Sequence, residues 1–183
     1  MLEAKKKSSL GSPAFSKSNK VMRVLWAVIY YSLFRFSPVP LFSYRRFILR
    51  MFGAKIGRGS AIYPSVEIWL PSNLDVSTGV AIGPKSKIYN QGGISIGKDA
   101  IISQGAYLCA STHDYDDPLH PLLLTPISIG EKAWVCADAF IGPGVSVGAG
   151  AVIGARAVMT KDALSWCIYA GNPSVKLKDR KKF

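Results

Sequence analysis

The residues best suited to chemistry lie in one short stretch of the chain, "ASTHDYDDPLHP" at 110–121. It contains both histidines of the chain and three aspartates: His113, His120, Asp114, Asp116 and Asp117. An imidazole can act as a general base towards a hydroxyl or an amine, because it titrates near neutral pH. It can also ligate a metal, which needs more partners than two histidines supply, or be a structural residue satisfied by local hydrogen bonds. Its position in the fold must decide among these roles.

A repeat of six residues surrounds this stretch. Aliphatic residues, or in one case Met, recur at fifteen positions: Ile56, Ile62, Ile68, Val76, Ile82, Ile88, Ile96, Ile102, Leu108, Ile129, Val135, Ile141, Val147, Ile153 and Met159. The residue four positions later is always small or β-branched, and Gly directly follows the aliphatic position in seven cases. A period of six fits neither a helix nor a flat strand. It fits a short strand followed by a tight corner, where Gly allows the backbone conformation that the corner needs.

Three such units close one triangular coil, and stacked coils bury a continuous aliphatic column. We therefore predict a mainly β chain: a left-handed parallel β-helix of about five coils at 56–170, with a short helical N-terminal region and an excursion loop at about 109–127. Two-residue slips at 74–75 and 94–95 are expected at bulged corners. A β-sandwich would instead show alternating hydrophobicity with regularly spaced turns.

The excursion loop separates Leu108 from Ile129 by twenty-one positions where the repeat needs six. Loops on rigid scaffolds often carry function. The insertion contains three prolines, Pro118, Pro121 and Pro126. We expect them to prevent strand formation. His113 ends a repeat unit where the loop leaves the coil, which favours the general-base role, whereas His120 lies out in the loop. The three aspartates could orient the imidazole or simply keep the loop solvated.

The net charge of +12 is concentrated at the two ends of the chain. Residues 1–58 carry twelve Lys or Arg against Glu3 alone, whereas 59–175 carry six basic and nine acidic residues. A nucleic-acid partner is therefore not expected. We predict a disordered basic leader at 1–19 and a basic C-terminal tail at 171–183.

The segment 20–55 is rich in aromatic, aliphatic and basic residues, which predicts an amphipathic helical cap. Two interpretations are compatible with each other: the segment covers the open first coil, and the segment lies on an anionic membrane through 20–52. Its longest apolar stretch, at 24–34, is too short to span a bilayer. Arg35 follows without an evident cleavage site, so we expect a cytoplasmic protein, with a peripheral position at the inner face of the membrane as a further option.

The three cysteines, Cys109, Cys136 and Cys167, show no metal-ligand or disulfide spacing. We expect neither a disulfide framework nor a metal requirement. Cys109 occupies a small-residue position and shows no sign of activation as a nucleophile.

Beyond the repeat, several motifs point to a family. "STHDYDDP", "PISIGEKAWVCADAFIGPGVSVGAGAVIGARAVMTKD" and "AGNPSVKLK" resemble the hexapeptide acyltransferases, in particular the maltose, galactoside and nodulation-factor O-acetyltransferases. "SPVPLFSYRRFILRMFGAKIG" and "ISQGAYLCASTHDY" are similar to the exopolysaccharide branch, the colanic-acid-type acetyltransferases. The resemblance covers about residues 20–178.

The resemblance implies a homotrimer with each site in the cleft between the β-helices of neighbouring subunits, where acetyl-CoA lies along the coils. His113 matches the family's catalytic histidine, which deprotonates the acceptor hydroxyl. Six positions match cofactor-binding positions: Trp134, Ala137, Ala155, Thr160, Lys176 and Lys178. The long N-terminal domain that helps to shape the acceptor pocket of the maltose and galactoside enzymes is replaced here by the basic, aromatic segment. Acceptor residues are therefore not carried over from the family, and Tyr89, Asn90 and Asp114 are candidates for acceptor binding from their positions in this chain.

We therefore expect an O-acetyltransferase acting on a sugar hydroxyl, free or lipid-linked, in capsule or exopolysaccharide biosynthesis. Two alternatives stay open at this point. One is an N-acetyltransferase acting on an amino sugar, and the other is a non-catalytic β-helix that serves as an assembly module.

Overall fold

The predicted aliphatic column forms the inside of a three-sided parallel coil. In the computed structural model, which describes residues 15–183, all fifteen repeat positions lie in strands and are buried. The strands in chain order are β1 (Lys55–Ile56), β2 (Ala61–Ile62), β3 (Glu67–Ile68), β4 (Leu74–Val76), β5 (Ala81–Ile82), β6 (Lys87–Tyr89), β7 (Ile94–Ile96), β8 (Ile101–Ile102), β9 (Tyr107–Cys109), β10 (Ser111–His113), β11 (Leu122–Leu124), β12 (Ile127–Ile129), β13 (Trp134–Val135), β14 (Phe140–Ile141), β15 (Ser146–Val147), β16 (Val152–Ile153), β17 (Val158–Met159), β18 (Cys167–Ala170) and β19 (Val175–Asp179).

The β-helix has three faces, each a sheet that runs along its length. Face A is β1-β4-β7-β12-β15, face B is β2-β5-β8-β13-β16-β18-β19, and face C is β3-β6-β9-β14-β17. All neighbouring strands are parallel except β18 and β19. The predicted count of about five coils is confirmed, and a sixth coil begins where Ala163 bridges to Val147 and β18 adds to face B.

Glycine serves two separate purposes at the corners. The left-handed backbone falls on the third residue after the buried aliphatic one at ten of the fifteen repeat positions, as at Gly79 (φ 75°) and Lys132 (φ 54°). A Gly that directly follows the aliphatic residue is needed for space instead. A Cβ on Gly97 would lie 2.5 Å from the backbone nitrogen of Glu131 in the next coil. The corner conformation is thus not the reason for these directly following glycines.

Two helices precede the coil: α1 (Lys17–Ile29), which continues as a π-helical turn at Tyr30–Phe34, and α2 (Phe42–Met51); a short 3₁₀ turn follows at Pro71–Asn73. The Ser16 side chain caps α1 by accepting a hydrogen bond of 3.1 Å from the Asn19 backbone. The predicted leader at 1–19 is therefore wrong at its C-terminal end, because ordered helix begins at Lys17. The rest of that prediction, at 1–14, lies outside the described residues.

The helices close the open first coil with one continuous core. The buried residues of the helices pack in the same hydrophobic cluster as the first three repeat positions. These helix residues are Trp26, Tyr30, Phe34, Ile48 and Leu49. Arg45, which is fully buried, fastens α2 to the coil by donating to the Ile62 carbonyl (2.6 Å) and the Ser37 hydroxyl (2.9 Å). Burial lowers the pKa of the Arg45 guanidinium. The segment has the contacts that the capping interpretation predicts.

The other end of the coil is also covered, which corrects the predicted basic tail at 171–183. β19 turns back and pairs antiparallel with β18, so the last parallel strand has a partner. Beyond β19, Arg180 donates 2.9 Å to the Gly150 carbonyl and lies over the Phe183 ring. Lys176 and Lys178 lie in this edge strand, and Arg180 anchors the chain beyond it. The strand protects β18, which would otherwise expose its backbone groups.

Candidate active site

The insertion forms a β-hairpin, which the sequence analysis did not predict. β10 and β11 pair antiparallel, with Ser111 opposite Leu124 and His113 opposite Leu122. The prolines do not prevent this, because Pro118 and Pro121 lie in the tip and Pro126 follows β11. The paired positions therefore keep their N–H donors, and the hairpin leaves the coil at the edge between faces C and A.

His113 ends β10 and is exposed, and its Nδ1 lies 2.6 Å from the carbonyl oxygen of His120. A carbonyl oxygen can only accept, so Nδ1 carries the hydrogen of this bond. In the neutral imidazole, Nε2 is then the unprotonated nitrogen. The hairpin therefore presents His113 in the tautomer that a general base needs, with Nε2 directed away from the bonded edge of the ring.

The carboxylates of Asp114 and Asp117 accept hydrogen bonds within the hairpin tip, and none of the three aspartates bonds to the imidazole. The Asp117 carboxylate accepts 2.9 Å from the Leu119 backbone, and the Asp117 carbonyl accepts 2.8 Å from the His120 backbone. His120 itself has a left-handed backbone, φ 42°. Asp114, an acceptor-binding candidate, accepts a 3.3 Å bond from the Asp116 backbone within the same turn. Sequence reasoning missed the His120 carbonyl, since no side-chain pattern reports a backbone contact.

Trp134 lies on the outside of face B, 42% exposed, with its indole nitrogen 2.9 Å from the Ser103 hydroxyl. The strand register places Trp134, Val152, Ile168 and Lys178 side by side on four consecutive strands. At about 4.8 Å between strands, the row is roughly 14 Å long. It begins with an indole, continues over half-buried aliphatic residues and ends with a cation.

The two predicted alanines stack at the edge between faces B and C. The Ala137 carbonyl accepts 2.9 Å from the Arg156 backbone, which places the Ala155 corner directly above the Ala137 corner. Lys176 lies on the same edge strand as Lys178 but forms an ion pair of 2.7 Å with Asp179. That hydrogen bond raises the pKa of Lys176 and lowers the pKa of Asp179.

Thr160 does not join these residues. It follows β17 at the edge between faces C and A, in line with Cys109. The hairpin leaves the β-helix at this same edge. One group, His113 and Thr160, therefore lies at the edge between faces C and A. The other group lies on face B and its edge with face C.

The acceptor candidates Tyr89 and Asn90 differ in their surroundings. Asn90 is fully buried, and its amide exchanges hydrogen bonds of 3.2 and 2.7 Å with the backbone of Leu70. It is therefore wrong as an acceptor-binding residue, because both of its polar groups are used to join two coils. Tyr89 is half-buried on the outside of face C, among other aromatic rings.

The cysteines and metal-binding residue types give no second site. All three thiols are free, and burial raises the pKa of Cys136, which disfavours the thiolate. Within residues 15–183, no group of three or more His, Cys, Asp or Glu side chains is arranged to hold a metal ion.

Comparisons with known proteins identify the family and the fold. The family model "Bacterial transferase hexapeptide (six repeats)" matches residues 126–161. A protein of Escherichia coli K12 named "Putative colanic acid biosynthesis acetyltransferase WcaF" is 39% identical over 166 residues, which are 91% of each chain. The galactoside O-acetyltransferase of the same organism is 26% identical over 132 residues, 70% of this chain and 65% of that protein.

Among solved structures, a hexapeptide-repeat acetyltransferase of Vibrio cholerae in complex with acetyl-CoA superposes with a TM-score of 0.84. It is 18% identical, and the match covers 93% of both chains. The left-handed parallel β-helix is thereby confirmed as the fold. The chain belongs to the hexapeptide-repeat acetyltransferases, and it is an acetyltransferase.

Proposed function

We propose that the protein transfers an acetyl group from acetyl-CoA to a sugar hydroxyl, with His113 as the general base. The observation that carries the proposal is the 2.6 Å contact between His113 Nδ1 and the His120 carbonyl, which leaves Nε2 as the proton acceptor. Nε2 takes the proton of the hydroxyl as the oxygen attacks the thioester carbonyl. The tetrahedral intermediate then collapses, the C–S bond breaks, and the imidazolium returns the proton to the CoA sulfur.

The row on face B is suited to the donor. An apolar track of half-buried residues fits the pantetheine arm, and a cation at its end, Lys178, fits a phosphate of the cofactor. Ala137 and Ala155 line the neighbouring edge, where small side chains leave room. A Vibrio cholerae protein of the same fold binds acetyl-CoA, which supports acetyl-CoA as the donor. Lys176, already paired with Asp179, is the weaker phosphate partner.

We propose a homotrimer because one chain separates the two groups of site residues. The hairpin that carries His113 leaves the β-helix at one edge of face C, whereas Trp134 and the rest of the row on face B lie beyond the other edge. A neighbouring copy that places its hairpin on face B would bring them together. Light scattering should then give a trimer. Co-expression of His113→Ala chains with Trp134→Ala chains should restore part of the activity that each lacks alone; no restoration would contradict a shared site.

We propose an exopolysaccharide or its lipid-linked precursor as the acceptor. The similarity to a protein named for colanic acid biosynthesis supports this, and the similarity to a galactoside O-acetyltransferase supports a hydroxyl rather than an amine. The first test is calorimetry with acetyl-CoA, followed by acetylation of a saccharide panel. An ester product is lost in mild base, whereas a base-stable product would indicate an amide and an amino-sugar acceptor. No binding of acetyl-CoA at several millimolar would contradict the proposal.

We also propose that the cap contacts the inner face of the membrane. Of the twenty large hydrophobic residues exposed within 15–183, twelve lie between Val21 and Met51. On α1 they follow helical spacing, at Val21, Val24, Leu25 and Val28. Residues 15–58 contain no acidic residue, so a second copy of this surface would be repelled, whereas anionic lipid would be attracted. No helix within the described residues is long and apolar enough to cross a bilayer.

Vesicle co-sedimentation tests the membrane contact. The protein should pellet with vesicles that contain anionic lipid and should remain in solution with neutral ones. Val24→Asp, at a 64% exposed position on this surface, should abolish pelleting and leave the melting temperature unchanged. Leu164→Asp, equally exposed but outside the cap, is the matched control. Equal pelleting of both variants would overturn the proposal.

A further inference from the structure

A row of aromatic rings runs along the outside of face C across four coils. Trp69, Tyr89, Tyr107 and Phe140 lie in successive coils, with ring centroids 6.5, 6.4 and 5.4 Å apart. The rings are half-buried rather than sealed in a core. Trp69 and Tyr89 directly follow an inward aliphatic residue, whereas Tyr107 and Phe140 directly precede one.

Helix α1 turns the first part of this row into a groove. A cavity of about 530 Å³ lies between α1 and face C, within the size range of ligand pockets. Its walls include the rings of Trp69, Tyr89 and Tyr107 from face C and of Tyr31 from the π-helical turn that continues α1. Arg23 lies over the Trp69 ring, 4.7 Å from its centroid, at one end of the groove.

The groove combines aromatic surfaces with polar groups. Arg23, Lys87 and Glu67 line it, and none of the three forms an ion pair within residues 15–183. Burial raises the pKa of Tyr107 to about 12. Aromatic rings beside charged groups suit a sugar ring, which offers C–H groups on its faces to an aromatic ring and hydroxyls at its edges to charged partners. A purely apolar ligand would offer none of the three charged groups a hydrogen bond.

The groove also lies close to the proposed base. Tyr107 opens β9, the strand whose continuation becomes β10 and ends at His113. The six residue steps from Tyr107 to His113 span at most about 20 Å. We infer that the groove between α1 and face C binds a saccharide chain, as a subsite for the sugars that precede the acetylated one. This inference rests on the proposed function, because it assigns a second part of the acceptor to the same chain.

Calorimetry on the full chain tests the site without catalysis. The probes are a linear α-glucan heptasaccharide, which is neutral, and a hyaluronan hexasaccharide, which carries carboxylates. At least one should bind, and Trp69→Ala should weaken that binding about tenfold through the loss of one stacked ring. Trp69→Phe keeps a ring and should bind nearly as well as the wild type. Phe36→Ala, exposed and outside the groove, should change nothing.

The result that overturns the inference is unchanged binding by a Trp69→Ala variant that melts like the wild type, or no binding of either probe. Acetyl-CoA binding, measured on the same samples, should be equal in all variants. If Trp69-dependent binding is found but no saccharide is acetylated, the groove stands and the proposed acetyl acceptor is wrong. If saccharides are acetylated with the same KM by wild type and Trp69→Ala, the proposed function stands and the groove does not.

Discussion

The coil interior and the hairpin at 111–124 hold their residues in place by different means. Leu108 is fully buried, and its strand has parallel neighbours on both sides. His113, five residues later, is exposed, and its side chain makes a single hydrogen bond within the described residues, to a backbone carbonyl. Packing fixes the first residue through many weak contacts. The second is fixed by one short contact that the hairpin tip must supply.

This difference separates stability from chemistry. The repeat can tolerate an outgrowth at an edge because the strands before and after it, β9 and β12, still pair with their neighbours. The outgrowth can then adopt the geometry that a base needs without disturbing the core. Substitutions in the two regions should therefore be distinguishable by whether they change the free energy of unfolding or the turnover rate.

The largest effect is expected at the imidazole. His113→Ala should lower kcat by about 10²–10⁴-fold, the usual contribution of a general base, and should leave the melting temperature close to that of the wild type. His120→Ala is the matched control, because only the backbone carbonyl of His120 is used. Steady-state kinetics on both variants checks this. Equal losses would mean that the side chain of His120 takes part, and a fully active His113→Ala would remove the base assignment.

In the coil, Leu108→Ala should reduce the free energy of unfolding by about 2–5 kcal/mol, because it leaves a cavity where the side chain is fully buried. Leu123→Ala, in the half-exposed part of β11, should cost about 1 kcal/mol or less. Denaturant titration measures both. A similar cost for the two would show that the hairpin is packed as tightly as the coil.

Stacking of the coils can be tested with a single methyl group. Gly130→Ala would place Cβ 2.5 Å from the backbone nitrogen of Ala149, so the coils would have to move apart, at about 1–3 kcal/mol. At Gly93 the nearest atom to a new Cβ is 4.0 Å away, and Gly93→Ala should be close to neutral. Thermal unfolding should separate the two variants. Equal melting temperatures would contradict the spatial role of glycine.

The smallest effect is expected in the hairpin tip. Asp117→Ala removes the acceptor of the Leu119 backbone bond, worth about 0.5–1.5 kcal/mol. The His120 carbonyl would then be held less firmly, so kcat should fall by roughly 2- to 10-fold, and the free energy of unfolding should fall by no more than the value of that bond. Asp116→Ala is the control, since its carboxylate accepts no hydrogen bond within the described residues. If Asp116→Ala has the larger effect, the tip is organised differently.

Much of the architecture could be predicted because it repeats. Each buried aliphatic position makes the same demand on the chain, so fifteen occurrences reinforce one another, and all fifteen lie in strands. The hairpin, the return strand β19 and the start of α1 at Lys17 were missed because each occurs once. Pro118 and Pro121 looked like strand breakers, but their effect depends on where they fall relative to the turn.

The candidate site was predictable only in part. Residue types and their period were enough to predict the coil, the interruption and the position of His113 where the chain leaves the coil. Three further features became visible only in the folded chain: the atom that orients the imidazole, the burial of Asn90 between coils, and the separation of His113 and Trp134 onto different edges of the β-helix. These depend on contacts between residues far apart in the chain or through the backbone, and neither leaves a pattern in residue types.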